Sequence, residues 1–209
     1  MNHVVLLGDS IFDNAAYTGG GPDVIRQLRG RLPRGWKATL GAVDGGTTGD
    51  VREQLRRLPA DATHLIVSAG GNDALGHIDF LGAPARSTAE ALLGLAAIAA
   101  GFERDYREML TEVLARGLPT AICTIYHPRF PDPDLQKIAV TALMVFNDCI
   151  IRAAFLYGIS LLDLRLVCTE EGDYADPIEP SARGGEKISR AIAEMLEHGL
   201  ASGRTEVFV

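Results

Sequence analysis

Short apolar runs alternate with longer amphipathic segments along the whole chain, and this alternation predicts the secondary structure. Short apolar runs bounded by glycine or polar residues are typical of buried strands, whereas apolar residues repeating at a spacing of three or four are typical of helices. We predict strands at residues 4–7, 37–43, 65–67, 120–125 and 160–164. We predict helices at residues 22–32, 50–58, 87–116, 134–157 and 182–198.

The alternation of single strands with helices predicts parallel βαβ units, because parallel strands need a crossover connection and usually use a helix for it. Strands buried on both faces carry continuous apolar runs, as Val4-Val5-Leu6-Leu7 does. The sequence therefore predicts an α/β fold, a three-layer α/β/α sandwich of flavodoxin-like type around a central five-stranded parallel sheet. A length of 209 residues predicts one domain, residues 1–209.

Charge and hydropathy narrow the class of protein. The formal net charge is −7 and no Lys/Arg cluster interrupts it, which argues against nucleic acid or an anionic membrane as a partner. The most apolar stretch, residues 89–100, contains Glu90 and is too short to span a bilayer of about 30 Å, so we predict a buried helix there. No basic and apolar leader precedes the first strand, and we expect no targeting signal.

Metal and disulfide chemistry is not indicated. The three cysteines, Cys123, Cys149 and Cys168, form an odd set without short spacings, which is typical neither of a disulfide framework nor of a zinc site. We expect reduced thiols in the core and a cytoplasmic location. The histidines show no metal-ligand spacing, so we expect no metal and no organic cofactor.

A serine directly follows the first predicted strand, in Gly8-Asp9-Ser10. Ligands of open α/β sheets bind beyond the carboxyl ends of the strands. A serine on a sharp turn at that edge presents its hydroxyl to a substrate, as in a nucleophile elbow. The alternative is that Ser10 caps a helix beginning near Phe12, and the tripeptide alone favours this cap.

Two further motifs follow the second and third strands. The glycines of residues 44–49 allow backbone N–H groups to converge on an anion, and the amide of Asn72, in Gly70–Asp73, can donate to an oxyanion. Both motifs are also ordinary turn sequences. A phosphate site in the glycine-rich loop is a further alternative, although the sequence contains neither the P-loop nor the dinucleotide motif.

The combination of G-D-S, a glycine and G-N-D after three successive strands resembles the SGNH (GDSL) hydrolases, over nearly the whole chain. The resemblance implies that Ser10 is the nucleophile of a serine-dependent ester hydrolase or acyl transferase. It also implies an oxyanion hole made of the N–H groups of Ser10 and Gly45 and the side chain of Asn72, with each such donor worth about 3–4 kcal/mol. We expect substrate contacts from Asp9, Phe12, Asp73 and Tyr126.

The last motif departs from the family pattern. The resemblance implies an Asp, two residues and a His before the final helix, but here Asp176 is followed by Glu179. In one explanation Glu179 is the base, with the Asp176 carboxylate raising its pKa from an ordinary value of about 4.3. In another, a histidine at the same sheet edge replaces it, and His127 is a better candidate than His77.

The third explanation is a weakly catalytic or inactive domain that binds an acyl, carboxylate or sugar ligand. An oxyanion hole and binding alone can leave roughly 10³–10⁴-fold acceleration over water, so slow ester hydrolysis is compatible with an absent base. The mixed aromatic and polar loops at residues 11–21, 74–86 and 126–133 favour a small to medium acyl ester. We therefore predict a carboxylesterase or deacylase with a small-molecule ester substrate, and no oligomeric state is predicted.

Overall fold

The structure, a computed structural model, describes residues 2–200 and 203–209. Its strands are β1 (Asn2–Gly8), β2 (Trp36–Leu40), β3 (His64–Ser68), β4 (Thr120–Cys123), β5 (Ser160–Leu162) and β6 (Val207–Phe208). Its α-helices are α1 (Val24–Arg31), α2 (Thr48–Gln54), α3 (Gly71–Leu75), α4 (Thr88–Leu114), α5 (Pro133–Tyr157), α6 (Leu164–Val167) and α7 (Ala182–His198). Short 3₁₀ helices occupy Ala15–Tyr17, Leu55–Arg57, Ile78–Gly82 and Glu171–Asp173.

All strands belong to one parallel sheet with the order β2-β1-β3-β4-β5-β6. The α/β fold with a parallel central sheet is therefore confirmed. The predicted number of five strands is wrong, because the described residues contain a sixth strand, β6, which pairs with β5 through Leu161 and Val207. A strand of two residues is too short to show the alternation of apolar and polar residues from which strands are predicted.

Helices cover both faces of the sheet, as β1 illustrates. Successive side chains of a strand point to opposite faces. Val4 and Leu6 pack with residues of α1 and α7, whereas Val5 and Leu7 pack with residues of α2, α4 and α5. The sheet thus has one hydrophobic core on each face, which explains the continuous apolar sequence of β1.

Helix α5 has the length and hydropathy of a membrane-crossing helix, with a mean hydropathy of 1.7 in its most apolar window. Core helices of globular domains meet the same criterion, and one such helix is weak evidence for a membrane span. In this structure Phe146, Ile150 and Ala153 of α5 are buried in the core. The three cysteines are also buried and free, which confirms their prediction as core thiols.

The N-terminal half of α4 is not the buried helix that its apolar sequence predicts. No residue between 83 and 101 is buried, and Leu92 and Leu93 are 60% and 72% exposed. Phe102, the first buried residue of α4, lies beside Gly70, just beyond the carboxyl end of β3. The preceding half of the helix therefore extends past the sheet, and there it contacts Phe80 and α5 rather than the sheet, which leaves Leu92 and Leu93 exposed.

We expect Gly8→Ala to destabilise the protein by more than about 2 kcal/mol. Gly8 has φ +127°, and a Cβ there would lie 1.6 Å from the carbonyl oxygen of Ser68 on β3, so the paired strands would have to separate. Gly30→Ala is the control, because a Cβ at this position in α1 meets no atom within 4 Å. It should stabilise the helix by about 0.5–1 kcal/mol. Urea unfolding of both variants measures the difference, and equal stabilities would contradict the close approach of β1 and β3.

Candidate active site

The candidate site lies where the strand order reverses. The chain passes from β1 to β2 on one side and to β3 on the other, and ligands of open α/β sheets bind in the crevice that such a reversal opens. Ser10 follows β1 and Asn72 lies in α3, just after β3. Both line one pocket together with Glu179, which comes from the loop before α7.

Ser10 lies on a turn whose backbone is held by a side chain from α2. The amide of Gln54 accepts a hydrogen bond from the N–H of Gly8 and donates one to its carbonyl, both at 2.8 Å. The Asp9 carbonyl then accepts the N–H groups of Phe12 and Asp13, which closes the turn. No helix begins near Phe12, since the next helical residues are the 3₁₀ turn Ala15–Tyr17. The alternative role of Ser10 as a helix cap is therefore wrong.

The donors of the predicted oxyanion hole lie next to this turn. Asn72 donates one amide hydrogen to the carbonyl of Gly46 at 3.0 Å, so its second hydrogen is available to a ligand. Among the described residues, the backbone N–H groups of Ser10 and Gly45 have no acceptor. A Cβ on Gly46 would lie 2.6 Å from the carbonyl oxygen of Gly8. Glycine at position 46 therefore lets the glycine-rich loop approach the end of β1.

Asp73 does not line the pocket. Its carboxylate accepts hydrogen bonds from the Thr48 hydroxyl at 2.7 Å and from the Thr48 N–H at 3.1 Å. The prediction that Asp73 contacts substrate is not supported by this position and stays a prediction. The residue ties the start of α2 to α3, and in this way it fixes the glycine-rich loop relative to Asn72.

Among the side chains that line the pocket, that of Glu179 has the properties of a general base. Its side chain is 8% exposed, and burial raises its pKa to about 7. The neighbouring side chain of Ser10 opposes this rise, and the carboxylates of Asp44 and Asp176 add to it. The Oε2 atom of Glu179 is buried without a hydrogen-bond partner among the described residues. A carboxyl group whose pKa is raised into the neutral range thus lies beside the side chain of Ser10.

Asp176 supports Glu179 through the backbone. Its Oδ1 atom accepts the N–H groups of Ile178 and Glu179, both at 2.9 Å. The N–H of Ala175 donates to the carbonyl of Glu179 at 2.9 Å, which closes a tight loop. Asp176 is therefore a positioning residue for this loop, and its charge contributes to the raised pKa of Glu179.

Two side chains hold this loop from outside. The hydroxyl of Tyr126 donates to the carbonyl of Ile178 at 2.5 Å, and the amide of Asn14 donates to the carbonyl of Pro180 at 3.1 Å. Tyr126 also lines the pocket, in agreement with its predicted position. Asn14 was not among the predicted residues, because a single asparagine in a loop carries no pattern that distinguishes it from a turn residue.

The structure does not bring His127 into the pocket. Along the extended segment after β4, Tyr126 and Pro128 line the pocket and His127 does not, as expected when alternate side chains point to opposite sides. Burial lowers the pKa of His127, and the neighbouring charges of Arg165 and Arg129 lower it further. The candidate role of His127 as the base is therefore not supported by its position.

His77 lines the pocket, at its rim, where its side chain is exposed. No hydrogen bond joins its ring to Ser10 among the described residues.

Phe12, predicted to contact substrate, is 0% exposed and packs in the core with Val24 and Leu28 of α1. That prediction is wrong, because the turn after Ser10 directs the ring of Phe12 into the core.

Asp9 is a second buried carboxyl group in the pocket wall. Burial raises its pKa to about 7, opposed by hydrogen bonds from the N–H of Ile11, at 3.1 Å, and from Ser68. The charges of Glu179 and Asp73 raise this pKa further. Since Asp9 and Glu179 repel each other when both are ionised, one of them tends to keep its proton near neutral pH.

The rest of the pocket is apolar and is formed by α3, the 3₁₀ turn after it, α4 and α5. Its aliphatic and aromatic walls include Leu75, Ile78, Phe80, Leu81, Leu95, Ile98, Leu143 and Phe146. These side chains converge only in the folded protein, and most of them were not predicted. Within the part of the chain that the structure describes, no group of three His, Cys, Asp or Glu residues is arranged to hold a metal ion.

We expect Asp9→Asn to change how stability depends on pH. The folded protein keeps the Asp9 proton to about pH 7, whereas the unfolded chain releases it near pH 4. Raising the pH between these values therefore favours unfolding. The asparagine variant lacks this loss, which at about three pKa units amounts to about 4 kcal/mol at pH 8. The Tm of the variant relative to that of the wild type should therefore rise by on the order of 10 °C between pH 4 and pH 8. Calorimetry across this range measures the effect, and a constant difference in Tm would contradict the raised pKa.

Comparisons with known proteins agree with this geometry. The family model described as GDSL-like lipase/acylhydrolase matches residues 6–187. The lipase Lip_vut3 from a goat rumen metagenome has a TM-score of 0.68 and 17% identity, over 91% of this chain and 95% of that chain. A putative arylesterase from Agrobacterium tumefaciens str. C58 has a TM-score of 0.62 and 16% identity, over 95% and 99%.

Est24, a carbohydrate acetylesterase from Sinorhizobium meliloti, has a TM-score of 0.59 and 14% identity, over 95% of this chain and 99% of that chain. At these identities the likeness shows the fold, and the family model carries the assignment. The search of curated proteins finds no match. The family model covers most of the 209 residues, and the chain therefore belongs to the GDSL-like lipase/acylhydrolase family of ester-acting hydrolases.

Proposed function

We propose that this protein is a serine-dependent ester hydrolase, with acyl-transfer capacity, in which Glu179 replaces histidine as the base. Its substrates are small to medium acyl esters. The observation that carries the proposal is that Glu179, a buried carboxyl group, lines the same pocket as Ser10 and lies beside its side chain. Burial raises the pKa of this carboxyl group to about 7. A base with a pKa near the working pH combines an adequate ionised fraction with an adequate proton affinity.

In the first half of the reaction, the Ser10 oxygen attacks the ester carbonyl carbon while its proton passes to the Glu179 carboxylate. The carbonyl oxygen becomes an oxyanion. When the tetrahedral intermediate collapses, the bond to the leaving alcohol breaks and protonated Glu179 returns the proton to the leaving oxygen. An acyl group then remains on Ser10.

In the second half, a water molecule attacks the acyl carbon and gives its proton to Glu179. The bond to the Ser10 oxygen breaks, and the same proton returns to that oxygen as the carboxylic acid leaves. An alcohol in place of water yields a new ester, which is the transfer reaction. One carboxyl group thus acts as a base and then as an acid in each half.

The oxyanion would be stabilised by the free amide hydrogen of Asn72 and by the N–H groups of Ser10 and Gly45. Their geometry supports this role because the hydrogen bond to Gly46 holds Asn72 in place before substrate arrives. Such preorganised donors act most strongly in a site that excludes water. Loss of the Asn72 side chain would cost roughly 10²–10³-fold in kcat.

Asp9 is the competing carboxyl group, and its surroundings favour a supporting role. It is held by Ile11 and Ser68, whereas Glu179 contacts Ser10 and keeps one oxygen unpartnered. A proton on Asp9 removes a negative charge from the pocket in which the oxyanion forms. Asp9 would therefore help the reaction by staying protonated while Glu179 ionises.

The test is the pH dependence of kcat/KM for p-nitrophenyl butyrate. Because Glu179 must be ionised to accept the proton, activity should rise with pH through about 7. Ser10→Ala should lower kcat/KM by at least about 10³-fold. Glu179→Gln should lower it by about 10²–10⁴-fold and remove the rise near pH 7.

His127→Ala is the matched control. It removes the histidine that the sequence favoured as an alternative base, and His127 does not line the pocket. It should keep the wild-type pH profile. Loss of activity in His127→Ala, with Glu179→Gln unaffected, would transfer the role of base to His127. If wild type and Ser10→Ala are equally inert towards activated esters, the hydrolase proposal fails. The alternative, a domain that binds an acyl, carboxylate or sugar ligand without turnover, would then take its place.

A further inference from the structure

A second apolar cavity continues from the pocket that contains Ser10. We call the first the acyl pocket and the second the outer groove, which lies between the 3₁₀ turn Ile78–Gly82, the start of α4 and the start of α5. The outer groove is lined by Ala83, Pro84, Ala85, Glu90, Ala91, Leu92, Lys137, Ile138 and Thr141. The two cavities share Phe80, Leu81, Leu95 and Ala142. These four residues therefore form the partition between them.

Phe80 is the largest side chain of the partition, and a glycine fixes its place. A Cβ on Gly94 would lie 2.6 Å from Cε2 and 2.8 Å from Cζ of the Phe80 ring. The ring thus rests directly on the backbone of α4, a contact that requires glycine at position 94. Ala142 of α5 lines both cavities from the other helix. Phe80 accordingly lies across the passage between α4 and α5.

The outer groove suits hydrocarbon better than a polar group. Most of its lining is apolar, and Leu92 and Ile138 are exposed there without a protein partner that buries them. Its two charged residues are paired outside it, Glu90 with Arg86 at 3.0 Å and Lys137 with Asp134 at 3.3 Å. An acyl chain passing from Ser10 through the acyl pocket would meet the Phe80 ring before it reached this groove.

We propose that Phe80, seated on Gly94, is the residue that limits the length of the acyl chain. The outer groove is a second acyl subsite that becomes accessible to the distal carbons of a longer chain when the ring is removed. This inference rests on the proposed function, since it assigns the acyl pocket to the acid half of the ester. It gives a physical reason for the small to medium esters of the proposed function.

The experiment measures kcat/KM for p-nitrophenyl esters with chains of increasing length, in wild type and in Phe80→Ala. Each methylene that is buried should raise kcat/KM by about fourfold until the chain meets the wall. In wild type the rise should stop at that length. In Phe80→Ala the rise should continue, so that an ester four carbons beyond the wild-type limit gains at least about tenfold relative to the butyrate.

Gly94→Ala tests the same wall in the opposite direction. The added methyl group pushes the Phe80 ring away from α4 and towards Ala142, so the limit should move to shorter chains. Gly101→Ala is the matched control, because it adds the same methyl group to the same helix where no atom lies within 4 Å. It should leave the limit unchanged. Phe130→Ala removes a ring that lines the acyl pocket alone, and it should not open the outer groove.

Binding of free carboxylates separates this inference from the proposed function. Titration calorimetry with carboxylates from butyrate to dodecanoate measures how affinity depends on chain length when no ester is turned over. The two proteins compared are Ser10→Ala and the double variant Ser10→Ala/Phe80→Ala. Carboxylates longer than the wild-type limit should bind more tightly than shorter ones only in the variant that lacks the Phe80 ring. This expectation holds even if the protein hydrolyses no ester. The inference is overturned if Phe80→Ala keeps the wild-type length profile, if Phe130→Ala shifts it equally, or if Gly94→Ala behaves as Gly101→Ala does.

Discussion

The proposed chemistry of this site depends on keeping water away from one carboxyl group, that of Glu179. A glutamate in water is ionised at neutral pH and holds a proton too weakly to be an efficient base. Burial raises the pKa of Glu179 to about 7, and the charges of Asp44 and Asp176 add to this effect. A group in that range can take the Ser10 proton and return it in the same cycle. Desolvation thus gives a carboxyl group the property that imidazole has intrinsically.

The fold maintains this constraint through backbone contacts. Gln54 fixes the turn that carries Ser10, and Asp176 fixes the loop that carries Glu179. Tyr126 and Asn14 hold the same loop from the sheet and from the turn after β1. The two side chains of the proposed mechanism are therefore placed by separate elements that meet at the reversal of strand order. Neither depends on a histidine for its orientation.

Much of the fold and part of the site could be predicted from the sequence. Continuous apolar strands, such as β1, and motifs directly after them placed Ser10 and Asn72 at one sheet edge, because parallel strands end together. Side-chain direction in loops could not be predicted from the sequence. The sequence therefore did not show that Phe12 and His127 point away from the pocket. The exposure of Leu93 depends on where the sheet ends beneath α4, and this position cannot be predicted from the local sequence. The apolar walls likewise arise from tertiary packing.

The most direct test of the central claim is the rate at which a fluorophosphonate modifies Ser10, followed by mass spectrometry across pH. This single bond-forming step needs the base and does not depend on substrate choice or on acyl release. The account predicts a rate that rises with pH through about 7 and a much slower rate without that rise in Glu179→Gln. A modification rate in Glu179→Gln equal to that of the wild type at every pH would contradict the role of Glu179 as the base.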